Sequence, residues 1–340
     1  MLIIRHHEVQ DILRGRETDI IELISATYRL HDEGKSSLPH STFLRFPDAP
    51  ADRIIGLPAY LGGEKPTAGM KWIASFPGNI AAGVDRASAV VVLNSLANGR
   101  PEALVEASLI SAKRTAASAA LGAGLLLPDA GADTTGVTLV GCGVINTEIL
   151  RFLKARLPFL TEALVYDQDP ARAAGFARRA MEAIPGVSVT VADDLPSALA
   201  AHALVSLATT AAAPHLAADA FRDDATVLHV SLRDIHPETI LASQNVVDDA
   251  DHVCRERTSL DLAQKLTGNR DFVDASIGTL AAGTSSFQRD PGRPVVFSPF
   301  GLGILDLAVA RFVQEEGTRQ GLGVAVDDFL SVPATVPVPA

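Results

Sequence analysis

The chain has 340 residues, 47% hydrophobic, 20% charged and only 5% aromatic, a composition that describes a soluble, well-buried protein and excludes a disordered one. That length exceeds one small core and fits two ordinary domains better than one large one. A formal net charge of −11 argues against a general binder of nucleic acid or of anionic membranes, while leaving room for a local basic pocket that holds a small anion.

Met1 to His7 lacks the basic start, apolar stretch and cleavage site of a secretion signal, and no apolar run reaches membrane-spanning length. With only two cysteines, Cys142 and Cys254, far apart and without zinc spacing, a reducing, cytoplasmic setting is expected. From Asp11 to Gly34 the residues Ile12, Leu13, Ile20, Ile21, Leu23 and Ile24 predict short amphipathic helices that stop at the glycine. Between Leu38 and Leu93, runs at 41–46, 53–57, 70–75 and 89–93 alternate with Pro and Gly and predict a small mixed sheet. The third run carries Lys71 among small and apolar residues beside Trp72, the chain's one tryptophan. A buried ammonium is costly unless an anion meets it, so the segment suggests a pocket that receives a carboxylate. The plainer reading lays the lysine stem on Trp72 and leaves its charge in water.

Residues 102–127 predict one long helix, interrupted near Gly122 and Gly124, with Lys113 and Arg114 at its middle. Arg45, Lys71, Arg86 and Arg114 all stand in this first part of the chain, each embedded in apolar or small-residue sequence. Arginine forks pair bidentately with carboxylates, so such residues suit an amino acid held by its acid groups. A solvated Lys113–Arg114 pair fits the sequence equally well.

Beyond Gly136 the pattern changes to short buried strands at 137–140, 163–166, 187–191, 203–207 and 226–230, most separated by alanine-rich helical stretches. This predicts a doubly wound parallel sheet of the Rossmann α/β class. The first of these strands runs into Gly141-Cys142-Gly143-Val144-Ile145-Asn146 and then a helix, the order that lets backbone amides approach a pyrophosphate. Asn146 stands where Gly or Ala is usual and leaves close helix-to-strand packing open. Asp167 ends the next strand at the place of a carboxylate that holds a ribose diol; with no adjacent cation it favours NAD over NADP. It also fits a turn residue before Pro170. Asp234, just past the strand at 226–230, is a candidate proton acceptor, or else a helix N-cap. The nine histidines form no ligand spacing, so no metal is expected. A strand at 295–297 leads into a helix from Gly301 to Val313 expected to return to the first domain, and a Pro-rich tail from Val332 is expected to be loose.

Taken together, Gly69-Met70-Lys71-Trp72, Lys113-Arg114-Thr115-Ala116-Ala117, the Gly141-Cys142-Gly143 loop and Ser298-Pro299-Phe300-Gly301-Leu302-Gly303 resemble the ornithine cyclodeaminase/μ-crystallin family over nearly the whole chain. The stretches at 38–47, 72–79, 86–89 and 231–234 look closer to one branch, the NAD-dependent dehydrogenases of 2,3-diaminopropionate biosynthesis, which supplies siderophore or antibiotic precursors. The resemblance implies a substrate-binding and dimerisation domain from residues 1–118 and 305–340, with an NAD-binding Rossmann domain, 119–304, inserted between. It implies that Arg45, Lys71, Arg86, Arg114 and Pro299 meet the substrate and that Lys71 and Asp234 serve the chemistry. The same resemblance puts Arg114, Thr115, Gly141, Gly143, Val144, Ile145, Asp167, Thr209, Ser231 and Ser298 around the cofactor. Two departures from the cyclodeaminases change charge: Arg86 stands where they carry Thr, and Glu238 where they carry Lys. An added arginine suits a substrate with more carboxylates than ornithine. The implied reaction is oxidative hydrolysis of N-(2-amino-2-carboxyethyl)-L-glutamate by a homodimer, with a pyridoxal-phosphate-dependent synthase supplying the adduct. Ornithine cyclodeamination, another amino or imino acid dehydrogenase, and a μ-crystallin-like ligand carrier are the rivals.

Overall fold

Two kinds of strand alternation become two sheets in the computed structural model, which describes residues 1–331; the Pro-rich tail lies outside the described residues. The chain opens with β1 (Leu2–Ile4), α1 (His6–Leu13) and α2 (Glu17–Asp32), then lays down β2 (Ser36–Ser37), β3 (Thr42–Phe46), β4 (Ala49–Leu61), β5 (Thr67–Ser75), β6 (Ala87–Asn94) and β7 (Pro101–Glu106) before α3 (Ser108–Leu126). The α/β half follows as β8 (Gly136–Val140), α4 (Val144–Arg156), β9 (Glu162–Tyr166), α5 (Pro170–Ala183), β10 (Ser188–Val191), α6 (Leu195–Ala201), β11 (Leu204–Leu207) and β12 (Thr226–His229). It continues through α7 (Pro237–Ala242), β13 (Gln244–Val247), α8 (Ala250–Val253), α9 (Ser259–Thr267), β14 (Val273–Ser276), α10 (Ile277–Ala282) and β15 (Val295–Ser298), and the chain returns by α11 (Gly303–Gln320) to β16 (Val324–Ala325).

The first sheet runs β16-β1-β7-β6-β5-β4-β2, with β3 also paired to β4. The second runs β10-β9-β8-β11-β12-β15-β13-β14 and its pairings are parallel. Strand order reverses between β8 and β11, and ligands of such sheets collect at the carboxyl ends beside that point. Within the first sheet, period-2 alternation sends Lys71 to the covered face and Trp72, 40% exposed, to the opposite one, which rules out a lysine stem resting on Trp72. Helix α11 returns to pack on β4, β5 and β6, as expected.

Residues 102–106 are strand, not helix. Ala103 and Val105 alternate inward and are fully buried, and the Ser108 amide donates to Glu106 Oε1 at 2.7 Å where the strand gives way to α3. The helix that follows is not interrupted at Gly122 or Gly124. A Cβ on Gly122 would stand 2.5 Å from the Phe297 ring, so the glycine lets α3 lie against β15. Strands β1, β2, β13, β14 and β16 lie outside the runs that the sequence predicts; β13 hides Gln244 and Asn245, whose Nε2 and Nδ2 groups donate to carbonyls of Gln288, Ile240, Ser243 and Phe272.

Candidate active site

At the end of β8, Gly141 has φ +94 and a Cβ there would meet the Ala208 carbonyl at 2.4 Å, so only glycine lets this loop pass beside β11. Gly143 opens α4 with nothing within 4 Å of its Cβ position, and Val144 next to it is 65% exposed. The first amides of a helix lack intrahelical acceptors, so open space at this start suits a pyrophosphate. Asn146 is buried and tightens the packing: its Nδ2 donates to the Val140 and Gly141 carbonyls at 2.9 and 2.7 Å, and Ser206 donates to its Oδ1 at 2.8 Å. The departure from Gly or Ala thus bonds β8, α4 and β11 together. Asp167, past the end of β9, accepts the Cys142 amide at 2.8 Å and the Asp169 amide at 3.0 Å, which fixes it against the glycine loop. The cap of α5 is Asp169, not Asp167.

A second group gathers at the carboxyl ends of β11, β12 and β15. Asp234 is fully buried, and both Thr209 and Ser231 donate their hydroxyls to its carboxylate in very short hydrogen bonds. His229, also fully buried, places Nε2 3.4 Å from Asp234 Oδ2 and 3.3 Å from the Asp234 amide nitrogen, while its Nδ1 lies 3.2 Å from Ser298 Oγ. Neutral, this imidazole accepts the amide hydrogen; protonated, it donates to the carboxylate. Burial pushes the Asp234 carboxyl up, but bonds and charge from His229, then Ser231 and Thr209, outweigh it and hold the pKa at about 2. The N-cap of α7 is His236, which removes the capping role considered for Asp234.

The third group surrounds Lys71. Its Nζ is 2.6 Å from Oδ2 of Asp306 on α11 and 3.4 Å from Ser111 Oγ on α3; Arg114 Nε donates to Asp306 Oδ1 at 3.1 Å. Lys71 and Asp306 are 2% and 0% exposed, so the anion that meets the buried lysine belongs to the chain itself. Burial, then the Arg114 charge, lowers the Lys71 pKa to about 8, against the opposing pull of Asp306. The same Arg114 lies against Gly301, where a Cβ would stand 2.6 Å from Nη1 and φ is +93. Asp248 accepts the Phe300 and Gly301 amides at 2.9 and 2.8 Å and shapes this turn, with burial pushing its pKa up to about 6. One loop, Ser298 to Gly301, therefore joins His229 of the second group to Arg114 of the third, with Pro299 buried between.

Lys113 is buried rather than solvated, paired with Glu148 of α4 at 3.1 Å. Thr115 donates to the Ser111 carbonyl at 2.7 Å and Ile145 is half-buried in the first turn of α4. Arg45, 54% exposed, pairs with Glu256 at 2.8 Å, whereas Arg86 keeps a buried Nε without a partner among the described residues. The sequence reading missed Asp306 and His229. A lone acid in the apolar run Gly303-Ile304-Leu305-Asp306-Leu307-Ala308 and a histidine in a buried strand run were the available signals. Among the described residues no cluster of His, Cys, Asp or Glu is arranged to hold a metal ion, and no helix is long and apolar enough to cross a membrane.

A glycine loop at a sheet's switch point, with Asp167 fixed against it and a buried acid at the neighbouring strand ends, is the arrangement of an NAD-dependent oxidoreductase. More particularly, residues 2–321 match the ornithine cyclodeaminase/mu-crystallin family, and the chain belongs to it. It is 29% identical to the N-((2S)-2-amino-2-carboxyethyl)-L-glutamate dehydrogenase of Staphylococcus aureus over 82% of either chain. It is 25% identical to the alanine dehydrogenase of Archaeoglobus fulgidus over 96% of this chain and 98% of the relative. Its fold is that of the Δ1-pyrroline-2-carboxylate reductase of Thermococcus litoralis, solved with NADH and L-proline, at TM-score 0.88 and 23% identity over 96% of this chain and 100% of that one.

Proposed function

We propose that the protein, acting on a CH–NH bond, catalyses the NAD-dependent oxidative hydrolysis of N-(2-amino-2-carboxyethyl)-L-glutamate to 2-oxoglutarate and L-2,3-diaminopropionate. The observation that carries this reading is the joining, through Ser298 to Gly301, of a buried acid to a buried pair of cations, with Arg45 and Arg86 as further cations in the chain. Such a site matches an amino acid with a nitrogen to deprotonate and several carboxylates to hold. The likeness to the Staphylococcus aureus dehydrogenase supports the same substrate.

Gly141, Gly143, the first turn of α4 and Asp167 would hold the dinucleotide, with Thr209, Ser231 and Ser298 toward its nicotinamide. NAD, when bound, supplies the acceptor for the hydride that leaves the glutamate α-carbon. Asp234, ionised, takes the ammonium proton first, because only a neutral nitrogen has the lone pair that forms the imine as hydride departs. With its ring neutral, His229, whose Nε2 lies 3.4 Å from Asp234 Oδ2, is the neighbouring acceptor to which Asp234 would pass that proton. Water then adds to the imine carbon and the C–N bond breaks, releasing the diaminopropionate amine. With a pKa of about 8, Lys71 remains an ammonium at neutral pH, which favours holding a substrate carboxylate over acting as a free base.

The division of the chain into 1–118 with 305–340 for substrate and 119–304 for NAD belongs to this reading, as does a homodimer. Support for the dimer comes from the outer face of the first sheet, where Leu44, Pro58, Tyr60, Met70, Trp72, Val90 and Val92 form a solvent-facing apolar surface, rather than from the small residues of α3, which are buried within the chain. A pyridoxal-phosphate enzyme that joins phosphoserine to glutamate would supply the substrate.

The test is NADH formation, followed by absorbance, with purified protein, NAD and either the glutamate adduct, ornithine or alanine. NADH from the adduct is expected. Proline and ammonia from ornithine without net NADH would establish a cyclodeaminase, NADH from alanine alone another dehydrogenase, and binding without turnover a ligand carrier.

A further inference from the structure

At one end of the first sheet the chain assembles more positive charge than it neutralises. Arg45 on β3 stands directly opposite Arg53 on β4, and the row continues through Ser75 on β5 to Ala87 on β6, beside Arg86. Like charges facing each other across a strand pair are destabilising unless something between them carries the opposite sign. The Nε atoms of Arg53 and Arg86 are both buried without a partner among the described residues. Arg233, next to Asp234, reaches the same place: its Nη2 donates to the Glu256 carbonyl at 2.8 Å, and the Glu256 carboxylate pairs with Arg45. Burial, then the charges of Arg233, Arg86 and Arg45, lowers the pKa of Arg53 against the opposing pull of Glu256. Leu232, Glu256 and Arg257 have φ of +68, +55 and +57, so the two turns that present Arg233 and Glu256 are both strained.

The position of this group relative to Lys71 follows from strand register. Leu57 pairs with Lys71 and Arg53 with Ser75, so both cations share the covered face, four residues or about 13 Å apart along the strands. An amino acid with a carboxylate at each end, met by these two long side chains, would lie between them along the covered face.

We propose that Arg53, supported by Arg86 and Arg233, receives the substrate carboxylate remote from Lys71 and so restricts the site to amino and oxo acids with a carboxylate at both ends. This rests on the proposed function and names the part of the chain that selects its substrate class. Arg45, tied to Glu256, stands at the rim of the receptor.

The experiment is calorimetric titration of the NADH-loaded protein with 2-oxoglutarate and with 2-oxobutanoate, which share the oxo acid end and differ in the far carboxylate. The native protein should prefer the dicarboxylate by on the order of ten- to a hundredfold, the yield of one charge-assisted contact. Arg53→Gln should erase that preference with the 2-oxobutanoate affinity intact, Arg53→Lys should keep part of it, and Glu256→Gln, which releases Arg45, should increase it. No preference in the native protein, or equal losses for both ligands in Arg53→Gln, would overturn the receptor. A dicarboxylate preference in a protein that forms no NADH from the glutamate adduct would uphold the receptor and remove the adduct as substrate.

Discussion

Asp234 and Asp306 are both fully buried, and the groups they belong to differ in net charge. Asp306 lies between Lys71 and Arg114, so its group has one positive charge in excess and attracts a further anion. Asp234 is met by two hydroxyls and by His229; with the ring neutral and accepting the backbone amide, its group has one negative charge in excess and attracts a cation or a proton, and with the ring protonated the excess is gone. Two sites of opposite excess, joined by Ser298 to Gly301, would suit the polarity of an amino acid in the proposed function: carboxylate toward Lys71 and Arg114, ammonium toward Asp234. The difference teaches that burial does not settle what an aspartate does. Hydroxyls and an imidazole, which can itself gain or lose a proton, suit it to proton exchange, whereas flanking permanent cations make it a fixed counter-ion.

The largest effect should come from removing the negative site. Asp234→Asn keeps the shape and the hydroxyl partners and deletes the proton acceptor, so turnover should fall by about a hundred- to ten-thousandfold. NAD affinity, measured by titration, should be unchanged. An unaltered rate would break the proposed asymmetry outright.

Next in size is the effect of Asp306→Asn on stability. It leaves the Lys71 ammonium and the Arg114 guanidinium facing each other in a buried place, and breaking such a pair costs about 3–5 kcal/mol. Urea unfolding measures it. Asp234→Asn should unfold much closer to the native midpoint, because its neutral partners can still bond to an amide; equal losses for the two variants would mean that the aspartates play the same structural part.

The extent to which this contrast could be read beforehand depends on what sequence patterns encode. The glycine loop of Gly141 and Gly143 and the strand that leads to Asp167 were legible as structure because strand, loop and helix follow one another within a short span. Arg114 and Asp234 were recognised as candidates, yet their burial and partners were not, since those depend on elements far away in the chain. Asp306 shows why: it enters the site only because α11 returns across β5, and no local period reveals which strand a helix will cover. Residues 102–106 were misread because two strand residues facing inward, Ala103 and Val105, precede an alanine-rich helix and blend into its composition. Trp72 offered the reverse lesson, since the alternation of β5 already assigns it and Lys71 to opposite faces.

The smallest effect, and the one that sharpens the contrast most, is the pH dependence that Lys71 imposes. Its folded pKa of about 8 lies below the ordinary lysine value of 10.5. Between these values the unfolded chain holds a proton that the folded chain has released, so this group makes stability rise with pH across that window; below pH 8 both states are protonated and the contribution is level. The buried thiols Cys142 and Cys254 act the other way there, since burial raises them to about 12 and about 11 and the unfolded chain loses its thiol protons first. The informative quantity is therefore the difference between native protein and Lys71→Met, in which the cysteine contributions cancel. That difference should move in favour of the native protein by on the order of 2 kcal/mol from pH 8 to pH 10, read from urea midpoints. In the same range the native protein should lose affinity for 2-oxoglutarate as the ammonium discharges, while Asp234, already ionised at about 2, adds no step. A flat difference would mean that Asp306 keeps Lys71 protonated throughout, and the positive excess would then persist at alkaline pH.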